Sequence, residues 1–157
     1  MKRLAVLLVL ALVALSGCAT ATVQQDRDAV NRVVDDWHKA AADADEQRYF
    51  GHMTADAVFL GTDASERWDL AAFRAFAHPF FAKGKAWTFV PRHRNVMING
   101  NTAWFDEALD SASYGDCRGT GVLRKEGGEW KLAHYNLAIP IPNALAKKFV
   151  DEIRAAH

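Results

Sequence analysis

Apolar positions recur along this chain with two different periods. Over 24–45 they fall at three- and four-residue steps: Val30, Val33, Val34, Trp37, Ala40, Ala41 and Ala44 share one face, and Asp26, Asp28, Asp35, Asp36 and Lys39 take the other. That spacing predicts an amphipathic helix. A second, short helix carrying Tyr49, Phe50 and Met53 follows, then a short strand over 54–61 closed by Gly61. Asp69 reads as the N-cap of a helix running to about His78, with Phe73, Phe76 and Ala77 on one face and Pro79 disturbing its last turn. Beyond this point the period changes to two. Strands are expected over 87–99, 102–110, 118–125 and 130–139. Asn99-Gly100 joins the first two as a hairpin, and Pro91, which cannot donate to a ladder, places its strand at an edge or bulge. A helical tail over 143–157 puts Leu145, Phe149, Val150 and Ile153 on one side. The sum is an α+β arrangement: one strongly bent antiparallel sheet packed on N-terminal helices.

The amino terminus changes the picture from a plain domain to an exported one. Lys2 and Arg3 precede an unbroken apolar run over 4–15, too short to span a bilayer as a mature helix and suited to a signal-peptide core. It ends in Leu15-Ser16-Gly17-Cys18, which resembles the lipobox of bacterial lipoproteins. The resemblance implies that Cys18 becomes the lipid-bearing amino terminus. Ala19 in the next position implies sorting to the outer membrane. The expected organisation is a signal peptide over 1–17, the lipidated Cys18 and a tether over 18–24, one domain over 25–142, and the tail over 143–157.

Charge and cysteine content exclude some classes. Without Lys2 and Arg3 the chain holds 17 basic against 19 acidic side chains, with no basic stripe, so nucleic acid is not an expected partner. With Cys18 acylated, Cys117 has no internal disulfide partner, and a lone thiol is expected to be buried and inert. The six histidines show no metal-ligand spacing, so neither a metal nor another cofactor is expected.

Three strings, Met53-Thr-Ala-Asp-Ala-Val-Phe59, Ala103-Trp-Phe-Asp-Glu107 and Gly128-Glu-Trp-Lys-Leu-Ala-His-Tyr135, together with the element order, resemble the SnoaL-like branch of the nuclear-transport-factor-two-like superfamily over 26–142. The resemblance implies a cone-shaped, cystatin-like fold, a pocket between sheet and helices, and a homodimer formed through the sheet. It does not fix an activity, because the fold hosts isomerases, cyclases, dehydratases and non-catalytic scaffolds. The catalytic positions of the superfamily's ketosteroid isomerases fall on Trp37, on Gly61 and near Thr120 or Gly121. The pocket arginines of the calcium/calmodulin-dependent kinase II association domain fall on Asp106, Thr120 and Leu137. Neither chemistry is reproduced.

Candidate site residues follow from alternation across each strand. By the resemblance, Trp104, Asp106 and Ala108 face into the cone, matched on the next strand by Arg118, Thr120 and Val122. Asp106 and Arg118 would then form a partly buried ion pair, either as a ligand anchor or as a structural pair. On the last strand either His134 and Asn136, with Trp130 and Leu132, or Ala133, Tyr135 and Leu137 face inward. The resemblance favours the second set, and a bulge would exchange them. The leading expectation is a lipid-anchored envelope protein binding a small, mostly apolar molecule through Trp37, Trp104, Asp106, Arg118, Thr120 and Tyr135. The excess of aromatic residues supports an apolar cavity. An enzyme of the isomerase, cyclase or dehydratase kind with Asp106 or His134 as base is the alternative, and a dimerising assembly module the third reading. Trp130 or Phe105 on the outer sheet face would mark the dimer contact, and the cluster over 91–94, containing His93, is expected to be a solvated edge.

Overall fold

The computed structural model describes residues 2–156, with side chains from Thr22 onward. The side chains of 4–15 and of Cys18, on which the export and lipidation expectations rest, lie outside the described set.

The elements are α1 (Lys2–Ala42), α2 (Glu46–Gly51), β1 (Met53–Leu60), β2 (Arg67–Asp69), α3 (Leu70–Ala82), β3 (Val90–Asn99), β4 (Thr102–Ser111), β5 (Gly115–Glu126), β6 (Glu129–Ala138), a short 3-10 turn (Asn143–Leu145) and α4 (Ala146–Ala155). The six strands form one curved sheet in the order β2-β1-β6-β5-β4-β3. Four neighbouring pairs are antiparallel, and β1 with β6 is parallel, so the sheet is mixed where a fully antiparallel one was expected. That parallel pair lets the first strand re-enter the sheet beside the last and closes one side of the cone.

Local chemistry accounts for most boundaries. Asp45 caps α2, accepting from Arg48 N, and Asp69 caps α3, accepting from Ala72 N at 2.8 Å. Pro79 sits inside α3, which continues past it to Ala82. Met53, expected in a helix, opens β1 instead. Pro91 lies on the edge strand β3, where the pairing register shifts between Pro91 and His93, as its missing N–H requires. β2, only three residues long, has no periodicity to reveal it.

The core lies between the sheet and the helices. Val30, Val34, Trp37 and Ala41 of α1 are buried against the inner sheet face, which presents Ala103, Phe105 and Leu109 from β4, Leu123 from β5, and Leu132 and Tyr135 from β6. Tyr49, Phe50, Phe59, Phe73 and Phe81 complete it as a continuous set of ring contacts. Cys117 is buried, its thiol pushed up chiefly by burial and then by the Asp116 charge, in agreement with an inert role. Residues 139–156 are all exposed. Phe149, Val150 and Ile153 of α4, with Leu145 of the preceding turn, therefore present an apolar face to solvent.

Candidate functional site: a buried carboxylate on the inner sheet face

β4 faces the opposite way from the expectation. Ala103, Phe105, Glu107 and Leu109 point inward, while Trp104 and Asp106 are exposed on the outer face. Hydrophobic burial decides this: the row containing Phe105 and Leu109 removes more apolar surface from water than the row containing Trp104 and Ala108. The same alternation puts Arg118 and Thr120 of β5 outside, opposite Ala108 and Asp106. The expected Asp106–Arg118 pair gives way to a hydrogen bond from Asn95 Nδ2 to Asp106 at 3.0 Å. On β6 a register irregularity opposite Val122 and Leu123 lets Trp130 and Leu132 face inward and then Tyr135 and Leu137 also. His134 is left half-buried on the outer side, paired in register with Val122 and Val58. Trp130 and Phe105, expected on the dimer face, are both buried inside.

The inward face of β4 carries one charge, Glu107, at 1% exposure. A carboxylate this deep requires partners on every side, and three elements supply them. His38 of α1 places Nε2 2.8 Å from Oε1. Tyr135 of β6 donates its hydroxyl to the same oxygen at 2.8 Å. Arg94 of β3, directly across the ladder from Glu107, donates Nε to Oε2 at 2.9 Å. Arg94 Nη2 lies 2.8 Å from Oε2 as well, close enough for charge attraction but out of line for a hydrogen bond. Arg94 Nη1 turns back to α1, reaching Asp35 at 2.8 Å and Asn31 Oδ1 at 3.2 Å. Arg94 is thus drawn inward from the segment expected to be a solvated edge, while His93 stays exposed.

Burial acts to raise the Glu107 pKa. The His38 hydrogen bond and charge, the Arg94 charge and the Tyr135 hydroxyl outweigh it and hold the carboxyl below the ordinary range. An ionised carboxylate only accepts, so His38 Nε2 carries a hydrogen toward it. Burial and the adjacent Glu107 charge push Tyr135 well above the normal tyrosine range, which keeps it a donor.

Trp37, one residue before His38, stacks on Tyr49 at 4.9 Å and meets Tyr135 edge-on at 4.6 Å. It is 2% exposed, yet its indole Nε1 has no hydrogen-bond partner. The Tyr49 hydroxyl is also buried, and burial pushes its pKa up; the Trp87 indole opposes the rise without reaching hydrogen-bond geometry. Two buried donors therefore stand unpaired beside a fully paired carboxylate. Ring contacts lead outward from this point: Tyr135 to Phe59, Phe59 to Phe73, Phe73 to Trp68, and Trp68 to the exposed Phe76.

Of the expected site residues, Trp37 and Tyr135 come together in the cone. Trp104, Asp106, Arg118, Thr120 and His134 do not; they share the outer sheet face. Glu107, His38 and Arg94 were not anticipated. The available signal was Glu107 as a lone charge in the apolar row Ala103, Phe105, Leu109. Among the described residues, no group of three His, Cys, Asp or Glu is placed to hold a metal.

A bent sheet wrapped on helices, with a polar group at the centre of an aromatic cone, defines the cystatin-like, NTF2-like class of fold. Within that class the chain belongs to the SnoaL-like domain family, whose profile matches residues 30–142. No curated protein matches the chain. Among solved structures it is similar to an NTF2-like protein of unknown function from Pseudomonas putida KT2440, with 17% identity, 79% of this chain and 90% of that chain covered, and a TM-score of 0.64. It is also similar to an NTF2-like protein from Streptomyces avermitilis provisionally named a dehydratase, with 14% identity, 76% and 99% covered, and a TM-score of 0.66. A cystatin-like protein of unknown function from Nostoc punctiforme matches with 11% identity, 74% and 92% covered, and a TM-score of 0.61. At these identities the likeness is one of fold.

Proposed function

We propose that the chain is a lipid-anchored protein of the bacterial cell envelope whose SnoaL-like domain binds a small, mostly apolar molecule in the cone. The observation that carries this reading is Trp37 Nε1, a buried donor with no partner, beside the Glu107 group. Buried polar atoms are paired in folded proteins, and an exception points to a missing acceptor. The surrounding rings suit an apolar body, and Trp37 suits a single carbonyl or ether oxygen on it. The aromatic run from Tyr135 to Phe76 supports an entry route at the α3 side.

Native mass spectrometry of a soluble form beginning at Ala19 tests the reading. A co-purifying small molecule is expected, bound about tenfold more weakly by Trp37→Phe, which keeps the stacking and removes the donor. Unchanged affinity in that variant removes Trp37 from the site.

The anchor reading is supported by Cys18 after the charged start and apolar run, and the Ala19 neighbour supports an outer-membrane, periplasm-facing position. Acyl mass on Cys18, lost in Cys18→Ser, tests it. A homodimer through the outer sheet face is part of the same proposal. Trp104 is exposed there, with Met97 and Val122 in register on either side, a patch a second copy would cover. Sedimentation of a single monomeric species at micromolar concentration would remove it.

The His38–Glu107 contact supports a second reading, cofactor-independent acid–base catalysis of the isomerase or dehydratase kind, with this pair in place of Asp106 or His134. Incubating the co-purified molecule with the protein in D2O separates the two. Deuterium gained with the native protein and not with His38→Ala means catalysis.

A further inference from the structure

Away from the cone, an open cavity of about 610 Å³ lies between α1, the C-terminal end of α2 and the β5–β6 turn. Its apolar wall is Ala29, Val33 and Trp130. Trp130 is held in place by its indole N–H, which donates to Asp26 at 3.1 Å. Apart from Gly51, Gly128 and His52 the rest of the lining is charged, and the charges are unevenly matched.

Asp36 is saturated. It accepts from Arg48 Nε at 2.9 Å, from Arg48 Nη2, and lies 2.7 Å from His52 Nε2. Three hydrogen-bond donors hold its carboxyl far below the ordinary range, so it offers nothing to a ligand. Arg48 is shared further with Asp43. Arg32 of α1 and Lys131 of β6 both line the cavity, and neither appears in any ion pair among the described residues. Glu129 is the only other acid in the lining, against two unpaired cations. A concave site with an apolar wall, two free cations against the single free acid Glu129, and Asp36 locked by Arg48 and His52, selects for an anion with an apolar body.

We propose that this cavity is a second binding site, distinct from the cone, for an amphiphilic organic anion. Its carboxylate or phosphate sits between Arg32 and Lys131, and its hydrocarbon part lies on Trp130, Val33 and Ala29. Arg32 supplies a planar, two-pronged donor suited to either head group, and Lys131 a point charge. The volume suits a chain of several carbons rather than a bare ion. Attraction of this kind between partly exposed charges is screened by salt, so binding weakens as ionic strength rises.

The test uses the full-length protein in neutral detergent, titrated calorimetrically with octyl phosphate, octanoate, octanol and inorganic phosphate. Saturable binding of octyl phosphate or octanoate, with octanol and inorganic phosphate each at least about tenfold weaker, is the expected result. The Arg32→Gln, Lys131→Gln double variant should lose about tenfold or more in affinity for the anions while melting at the native temperature. Trp37→Phe should leave this binding unchanged, which separates the cavity from the cone. Competition by phosphatidylglycerol vesicles would assign the natural ligand to a lipid head group, and its absence to a free amphiphile; either result keeps the site. Equal binding of octanol, or a double variant with native affinity, overturns it.

Discussion

Gly119 and Tyr135 occupy space that a single added methyl would contest. A Cβ at position 119 would stand 2.7 Å from Glu107 Oε1 and closer still to the Tyr135 hydroxyl. Gly119 sits on β5 between Glu107 on one neighbouring strand and Leu137 on the other, so the strand gives up a side chain to let a hydrogen bond form over it. Two residues on, Gly121 does the same for the Phe105 ring, whose nearest atom would lie 2.5 Å from a Cβ.

Gly119→Ala is therefore expected to destabilise the domain by about 1–3 kcal/mol through overpacking, because the atoms in the way are held by hydrogen bonds and cannot retreat freely. Gly51→Ala is the control. It has open space around the added methyl and no left-handed backbone, and should lie within about 0.5 kcal/mol of the native protein. Urea unfolding of both variants decides the matter; equal midpoints would show that Tyr135 can give way.

These glycines also mark what could be read in the chain beforehand. Elements with strong periodicity and clear punctuation were legible: α1 from its aspartate-backed apolar stripe, α3 from Asp69, the edge strand from Pro91. The facing of β4 was legible too, in Ala103, Phe105 and Leu109 against Trp104 and Ala108, and in a following strand whose inward positions are Gly119 and Gly121. The superfamily resemblance pointed to the opposite row. The partners of Glu107 were not legible, because His38 lies 69 positions away and Arg94 lies 13 away on a strand that reads as a solvated edge. No local pattern joins them; the register between strands and the placement of α1 do.

Stability should fall in acid because of Glu107. Its folded pKa lies below the ordinary value of 4.5, so the stabilisation is present above that value and is lost as the pH drops through the folded pKa. Asp56, held down to about 2 chiefly by Arg124, titrates with the same sign at the surface. Glu107→Gln keeps the shape and removes the charge. It should lower stability at pH 7 by about 1–3 kcal/mol, since Arg94 loses its buried carboxylate and keeps only Asp35, and should flatten the decline below pH 4.5. A variant with the same acid slope as the native protein would place the titration elsewhere.

Substitutions on the two sheet faces should separate cleanly. His38→Ala removes a buried partner of Glu107 and should cost about 2–4 kcal/mol. Asp106→Ala and His134→Ala act on the outer face, where Asp106 keeps one contact with Asn95, and each should change the unfolding free energy of the monomer by less than about 0.5 kcal/mol. Thermal melts of the three variants read this directly. A large loss from Asp106→Ala would mean that Asp106 itself lies within the proposed dimer contact.

Deleting 143–157 tests whether α4 belongs to the fold. Its apolar residues Phe149, Val150 and Ile153, and Leu145 of the turn before it, are all exposed, so the segment adds little buried apolar surface to the domain. A helix of ten residues standing alone is marginal in water. The truncated protein should therefore unfold within about 0.5 kcal/mol of the full chain, since the transfer energy that stabilises a helix comes from the face it buries. Its sedimentation should also show less self-association, because a contiguous apolar stripe has been removed. A midpoint lowered by several degrees would show that α4 covers part of the domain or of a second copy in solution.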